Sequence, residues 1–83
     1  MNKLQILSHE GHRELTWDAE QVEEGERAAA DVIAEAERIV EEALARGHLA
    51  VRIDDPSQPA QRIKKFDYTA PRTVIVPRMA GGS

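Results

Sequence analysis

Eighty-three residues limit the chain to one small domain, which buries only about 60% of the surface its unfolded form exposes. With three aromatic residues, Trp17, Phe66 and Tyr68, and an apolar content made mostly of Ala, Val, Ile and Leu, the core must be simple, a helix laid on a sheet rather than a deep ligand cavity. The absence of cysteine excludes disulfides, thiolate metal sites and a cysteine nucleophile, and a net charge of −4 argues against a general nucleic-acid binder, which needs a basic stripe with stacking aromatics.

The first predicted element is "KLQIL", where Leu4 and Ile6 alternate with Lys3 and Gln5, and the second is "RELTW", which repeats the alternation through Leu15 and Trp17. Both read as half-buried strands. The linking "SHEGH" is polar and includes Gly11, which supplies the positive φ of a tight connection, so the two strands form a hairpin.

At Asp18 the period changes. Asp18 is a helix N-cap, with Gln21 three places on completing a capping-box pattern. Beyond it Val22, Ala29, Val32, Ile33, Ala36, Ile39, Val40, Ala43 and Leu44 recur at three- and four-residue steps. This is one long amphipathic helix, or two shorter ones broken near Gly25, where glycine costs about 1 kcal/mol relative to alanine. Unbroken, it would span about 40 Å and overshoot a five-residue strand of about 17 Å. Gly47 after Arg46 is the stop.

"LAVRI" follows, with Leu49, Val51 and Ile53 on one face, and then the loop "DDPSQPA". "QRIKKF" reads as a strand with a polar outer face, suited to a sheet edge that its lysines protect. "DYTAP" turns the chain, and "TVIV", apolar at three successive positions, has the pattern of a strand in the middle of a sheet. The expected class is therefore α+β, in the order ββαβββ, with a mixed sheet and one long helix across one face. Two topologies satisfy that order. One is the β-grasp arrangement, with the final strand central beside the first; the other is a plain antiparallel sheet with the helix on one side. Residues 1–79 make up the domain and residues 80–83 a flexible tail.

The charge is divided along the chain: residues 1–46 hold five Lys/Arg against twelve Asp/Glu, and residues 47–83 six against three. The acidic helix face, with Glu20, Glu23, Glu24, Glu35, Glu37, Glu41 and Glu42, reads as a solvated surface. Arg62, Lys64, Lys65, Arg72 and Arg78 gather in the strands leading to the tail, where they either protect an edge or steer an acidic partner. His9 and His12 flank Glu10 in "HEGH", but a hairpin turn without a fourth ligand reads as polar turn chemistry, so no metal is assigned. His48 beside the helix end reads as structural, Ser8 next to His9 does not make a triad, and the acid pairs Glu23-Glu24, Glu41-Glu42 and Asp54-Asp55 are surface features. No catalytic residue is expected. No apolar run is long enough to cross a bilayer, and "MNKLQILSHEGH" is not a secretion signal, so a cytoplasmic protein is expected.

"VIVPRMAGGS" carries a resemblance. A hairpin, a helix, further strands and a last strand running through a proline into Gly81-Gly82 resemble the ubiquitin-like proteins, including the sulfur carriers of thiamine and molybdopterin synthesis. The resemblance implies a protein without catalysis of its own, which binds no cofactor. Its Gly82 carboxylate would be activated by an adenylating enzyme using ATP, after a processing peptidase has removed Ser83. Glycines suit such a role, because a segment that threads a narrow channel needs backbone without Cβ atoms. The alternative is a small structural or assembly subunit of a larger particle, for example a phage component, with self-association through the helix and sheet edge.

Overall fold

A computed structural model describes residues 1–8 and 11–77. Seven elements follow in chain order: β1 (Asn2–Ser8), β2 (Gly11–Trp17), α1 (Ala19–Glu23), α2 (Arg27–Ala45), β3 (Leu49–Ile53), β4 (Gln61–Arg62) and β5 (Arg72–Val76). The strands form one sheet in the order β2-β1-β5-β3-β4. β5 runs parallel to β1 on one side and antiparallel to β3 on the other. This is the α+β, β-grasp-like arrangement of a mixed sheet backed by a helix, and the plain antiparallel alternative does not hold.

The hairpin is tighter than the sequence suggests. Ser8 pairs with Gly11 and Leu7 with His12, so most of "SHEGH" belongs to the ladder and two residues separate the strands. Gly11 has φ +130°, a conformation that side-chain-bearing residues rarely adopt.

The helical segment is divided at Gly25. Asp18 caps α1 by accepting the Glu20 N–H at 2.9 Å, rather than through a box with Gln21. The Gln21 carbonyl instead accepts the Glu26 N–H at 2.9 Å while Gly25 donates to Val22, which closes α1 in a Schellman motif with Gly25 at φ +82°. The same pattern closes α2: His48 donates to Ala43 at 2.9 Å and Gly47 to Leu44 at 3.0 Å, with Gly47 also at φ +82°. Gly25 is thus a helix stop, not a weak spot inside one long helix. The 19 residues of α2 span about 28 Å, which shortens the expected overshoot.

Residue parity along the strands separates two faces. Leu4, Trp17, Ala50 and Ile75 meet Ala36, Val40 and Ala43 of α2 in the core, and Ile6, Leu15, Ile33 and Ile39 pack around it. The small side chains of Ala36, Ala43 and Ala50 allow α2 to lie close to the sheet.

"QRIKKF" does not continue as a strand. Only Gln61 and Arg62 pair with β3, at the sheet edge, and the Ile63 N–H adds a bond of 2.9 Å to the Ala50 carbonyl. Ile63 and Phe66 both pack against the core, and three-residue spacing cannot put two side chains on one face of a strand. The chain therefore leaves the sheet and runs under the helix. Phe66 meets Trp17 edge-on, with ring centroids 5.6 Å apart. The segment is tied down by Asn2, whose amide donates to Ala70 O at 2.9 Å and Tyr68 O at 3.2 Å and accepts from Ala19 N at 3.3 Å. The Trp17 indole N–H also donates to Tyr68 O at 2.9 Å.

Candidate functional site

β5 is the strand from which the diglycine segment departs. It is bonded on both sides, and Thr73, Val74 and Ile75 are all buried. The apolar run "TVIV" has its explanation in this position: Ile75 faces the helix, whereas Val74 lies on the opposite face between Gln5 and Val51. Pro77 follows the last ladder residue and has no N–H to continue it. Arg78, Gly81, Gly82 and Ser83, expected as partner, attachment and processing residues, lie outside the described residues, as does the tail 80–83 as a whole.

The sheet face away from the helix carries the other half of the candidate site. Register places Arg62, Val51, Val74, Gln5 and Glu14 in one row across all five strands, and Ile53, Arg72, Lys3 and Thr16 in the next. Leu49 opposite Val76 completes an apolar block over β3 and β5. Leu49 is 36% exposed, and Val51, Ile53 and Val76 are half-buried with no helix above them. The larger apolar side chains of "LAVRI" thus point outward, and only Ala50 of that strand is buried in the core. Around the block stand three cations, Arg62, Arg72 and Lys3. Arg72 Nε donates to Gln5 Oε1 at 2.7 Å, and Lys3 lies 3.7 Å from Glu14.

The structure therefore divides the basic residues singled out in the sequence. Arg62 and Arg72 share the outer face, joined by Lys3, which sequence reasoning missed. Lys64 is exposed in the bend after β4. Lys65 lines a cleft of about 460 Å³ on the helix side, with Ile33, Phe66 and Tyr68. The signal that could have identified the outer face is the two-sided apolar pattern of β5, since a strand apolar on both sides implies an apolar neighbour on each.

Two of the four charges lining the helix-side cleft, Arg52 and Asp67, are paired with each other. Arg52 bonds Asp54 at 2.8 Å and Asp67 at 3.1 Å, and the hydrogen bonds it donates to Asp54 in particular hold its guanidinium above the usual arginine value. Asp67 is held below the ordinary aspartate value, first by the Thr69 hydroxyl and N–H and then by Arg52. On the helix, Arg38 bridges Glu35 at 2.8 Å and Glu42 at 3.0 Å, and its hydrogen bond lowers the Glu35 pKa. The acidic helix face is thus partly neutralised within itself.

No family model matches the chain, and no curated protein or solved structure matches it.

His12 is exposed on β2, while His9 and Glu10 lie outside the described residues. Among the described residues no three His, Cys, Asp or Glu side chains are grouped as metal ligands, and no helix is long and apolar enough to cross a membrane. His48 is half-buried, and its backbone N–H closes α2.

Proposed function

We propose that this chain is a ubiquitin-like modifier or sulfur-carrier-like protein, activated at Gly82 once the bond to Ser83 has been hydrolysed. One observation carries the reading: the central strand of a β-grasp-like sheet runs through Pro77 toward a segment whose sequence holds Gly81-Gly82. A strand bonded on both sides is a rigid base for a handle, and glycines let that handle enter a confined channel. The Gly82 carboxylate would attack the α-phosphate of ATP on a partner enzyme, forming an acyl-adenylate and releasing pyrophosphate. A sulfur donor or target amine would then take the acyl group and release AMP. The domain supplies the carboxylate and a docking face, with no catalytic residue or bound cofactor of its own.

The docking face is the apolar block of Leu49, Val51, Ile53 and Val76 with Arg62 and Arg72 beside it. An apolar centre with a cationic rim fits a partner surface of apolar residues ringed by carboxylates, and the charges would orient the encounter. Lys64, Lys65 and Arg78 add to the basic balance of the C-terminal half of the sequence, which would favour the same acidic partner. Use of ATP by the partner points to the cytoplasm.

The test is direct. The chain trimmed to Gly82, incubated with its cognate adenylating enzyme and ATP, is expected to yield an adenylate or thiocarboxylate visible as a mass change. An inert trimmed chain beside an active enzyme control ends the proposal. A second reading, an assembly subunit of a larger particle, is favoured by the same apolar sheet face, which is a contact surface that needs no tail. Deleting residues 80–83 separates the two, since assembly survives the truncation and activation does not.

A further inference from the structure

At the end of α2 opposite Gly25, a cleft of about 290 Å³ opens between the helix and the sheet. Its floor is apolar, made by Ile6 of β1, Ile75 of β5, and Ile39 and Ala43 of α2. Its walls bring together Arg13 from β2, Arg46 at the end of α2, and His48. We propose that this cleft binds a small amphipathic anion, a carboxylate or phosphate on a short apolar body, with the body on the isoleucine floor and the acid group between Arg13, Arg46 and His48.

Three observations carry this. The first is a reversal of charge: the outward surface of α2 is rich in glutamate, yet this cleft is lined by three arginines and one glutamate. That glutamate, Glu42, is engaged by Arg38 at 3.0 Å, so it does not oppose an incoming anion as a free carboxylate.

The second is that the remaining donors are available. Among the described residues neither the Arg46 nor the His48 side chain has a hydrogen bond or ion pair, and Arg13 has only a 3.6 Å approach to Glu35, which Arg38 holds at 2.8 Å.

The third concerns the helix end. The carbonyls of a helix C-terminus repel anions. Here the Glu42, Ala43 and Leu44 carbonyls are occupied by the N–H groups of Arg46, Gly47 and His48. The volume equals that of about ten liquid waters at about 30 Å³ each, which suits a ligand of about ten heavy atoms. The cleft uses neither the diglycine nor the outer sheet face, so the inference stands apart from the proposal above and from its failure.

The test is an NMR titration of the full chain with octanoate, octyl phosphate, octyltrimethylammonium and acetate, following the Ile6, Ile39 and Ile75 methyl groups. Saturable shifts with a Kd of about 1 mM or tighter are expected for octanoate, octyl phosphate or both, a modest affinity for ligands of about ten to thirteen heavy atoms. The pair of anions decides between carboxylate and phosphate. The ammonium and acetate should bind at least tenfold more weakly. Arg46→Gln and Arg13→Gln should each weaken the preferred anion by about tenfold, with an unchanged melting temperature confirming that the variants fold. Binding of the ammonium as tight as that of the anions, no saturable shift with either anion, or undiminished affinity in both folded arginine variants would each overturn the proposal.

Discussion

Asn2 holds three backbone groups from two distant segments with a single amide: Ala70 O, Tyr68 O and Ala19 N. Asn2→Leu keeps the branched outline with a somewhat larger side chain and loses all three bonds, leaving the buried Ala70 carbonyl without this donor while Tyr68 O retains Trp17. It is expected to cost about 1–3 kcal/mol in chemical denaturation, and a change within 0.5 kcal/mol, roughly the scatter of a neutral surface substitution, would show that the amide does not anchor the segment. Thr73 has the opposite character. It is fully buried, and its hydroxyl has no hydrogen-bond partner among the described residues. Thr73→Val removes an uncompensated polar group at nearly constant shape and is expected to raise stability by about 1 kcal/mol in the same measurement.

Asp67 links stability to pH. Its pKa is lowered in the folded chain, so its stabilising bonds to Thr69 and Arg52 are fully present above the ordinary aspartate value of about 4 and are lost as pH falls through the depressed folded value. Asp67→Asn should therefore reduce stability at neutral pH and flatten its decline below about pH 4, as read from denaturation curves at stepped pH. With the side chain 44% exposed, solvent screening keeps the effect small.

Both helices end through the same device, and Gly25 tests whether that description is correct. Inside a continuous helix, Gly25→Ala would stabilise the chain by about 1 kcal/mol. At φ +82° in a Schellman motif, the added Cβ strains the backbone, and a loss of about 1–2 kcal/mol is expected, although no atom lies within 4 Å of the new methyl. The sign of the change, measured by thermal unfolding, distinguishes the two. The alternation of Leu4 and Ile6, the three-and-four spacing of the helix and the stop at Gly47 are all legible in the sequence, because each reflects geometry within a few residues. Reading "QRIKKF" as a strand failed because Ile63 and Phe66 are drawn to the helix side together, a demand set by Trp17 and α2 rather than by local propensity.

The molecule is two hairpin-like halves joined by one strand: β2-β1 on one side and β3-β4 on the other both depend on β5. Removing residues 72–83 exposes the inner edges of β1 and β3 and takes Ile75 out of the core, so cooperative unfolding by circular dichroism should be abolished. The docking role proposed for the sheet's outer face makes a separate prediction. Val51→Glu places a charge where no helix covers the strand, so the melting temperature should change little while transfer from an activating enzyme, or assembly, is impaired. If Val51→Glu unfolds the domain, that face is structural instead.

Element type, helix stops and the apolar character of the last strand follow from short-range chemistry: side-chain period, glycine φ and proline's missing N–H act within a turn or a pleat, and so they are readable from the chain alone. The parallel pairing of β1 with β5, the outward direction of Leu49, Val51 and Ile53, and the meeting of Arg13, Arg46 and His48 at one cleft are of another kind. They join residues far apart in sequence, and which face of a strand is covered depends on where α2 finds small side chains to rest on. That contact is settled by packing across the whole fold, which no local pattern encodes.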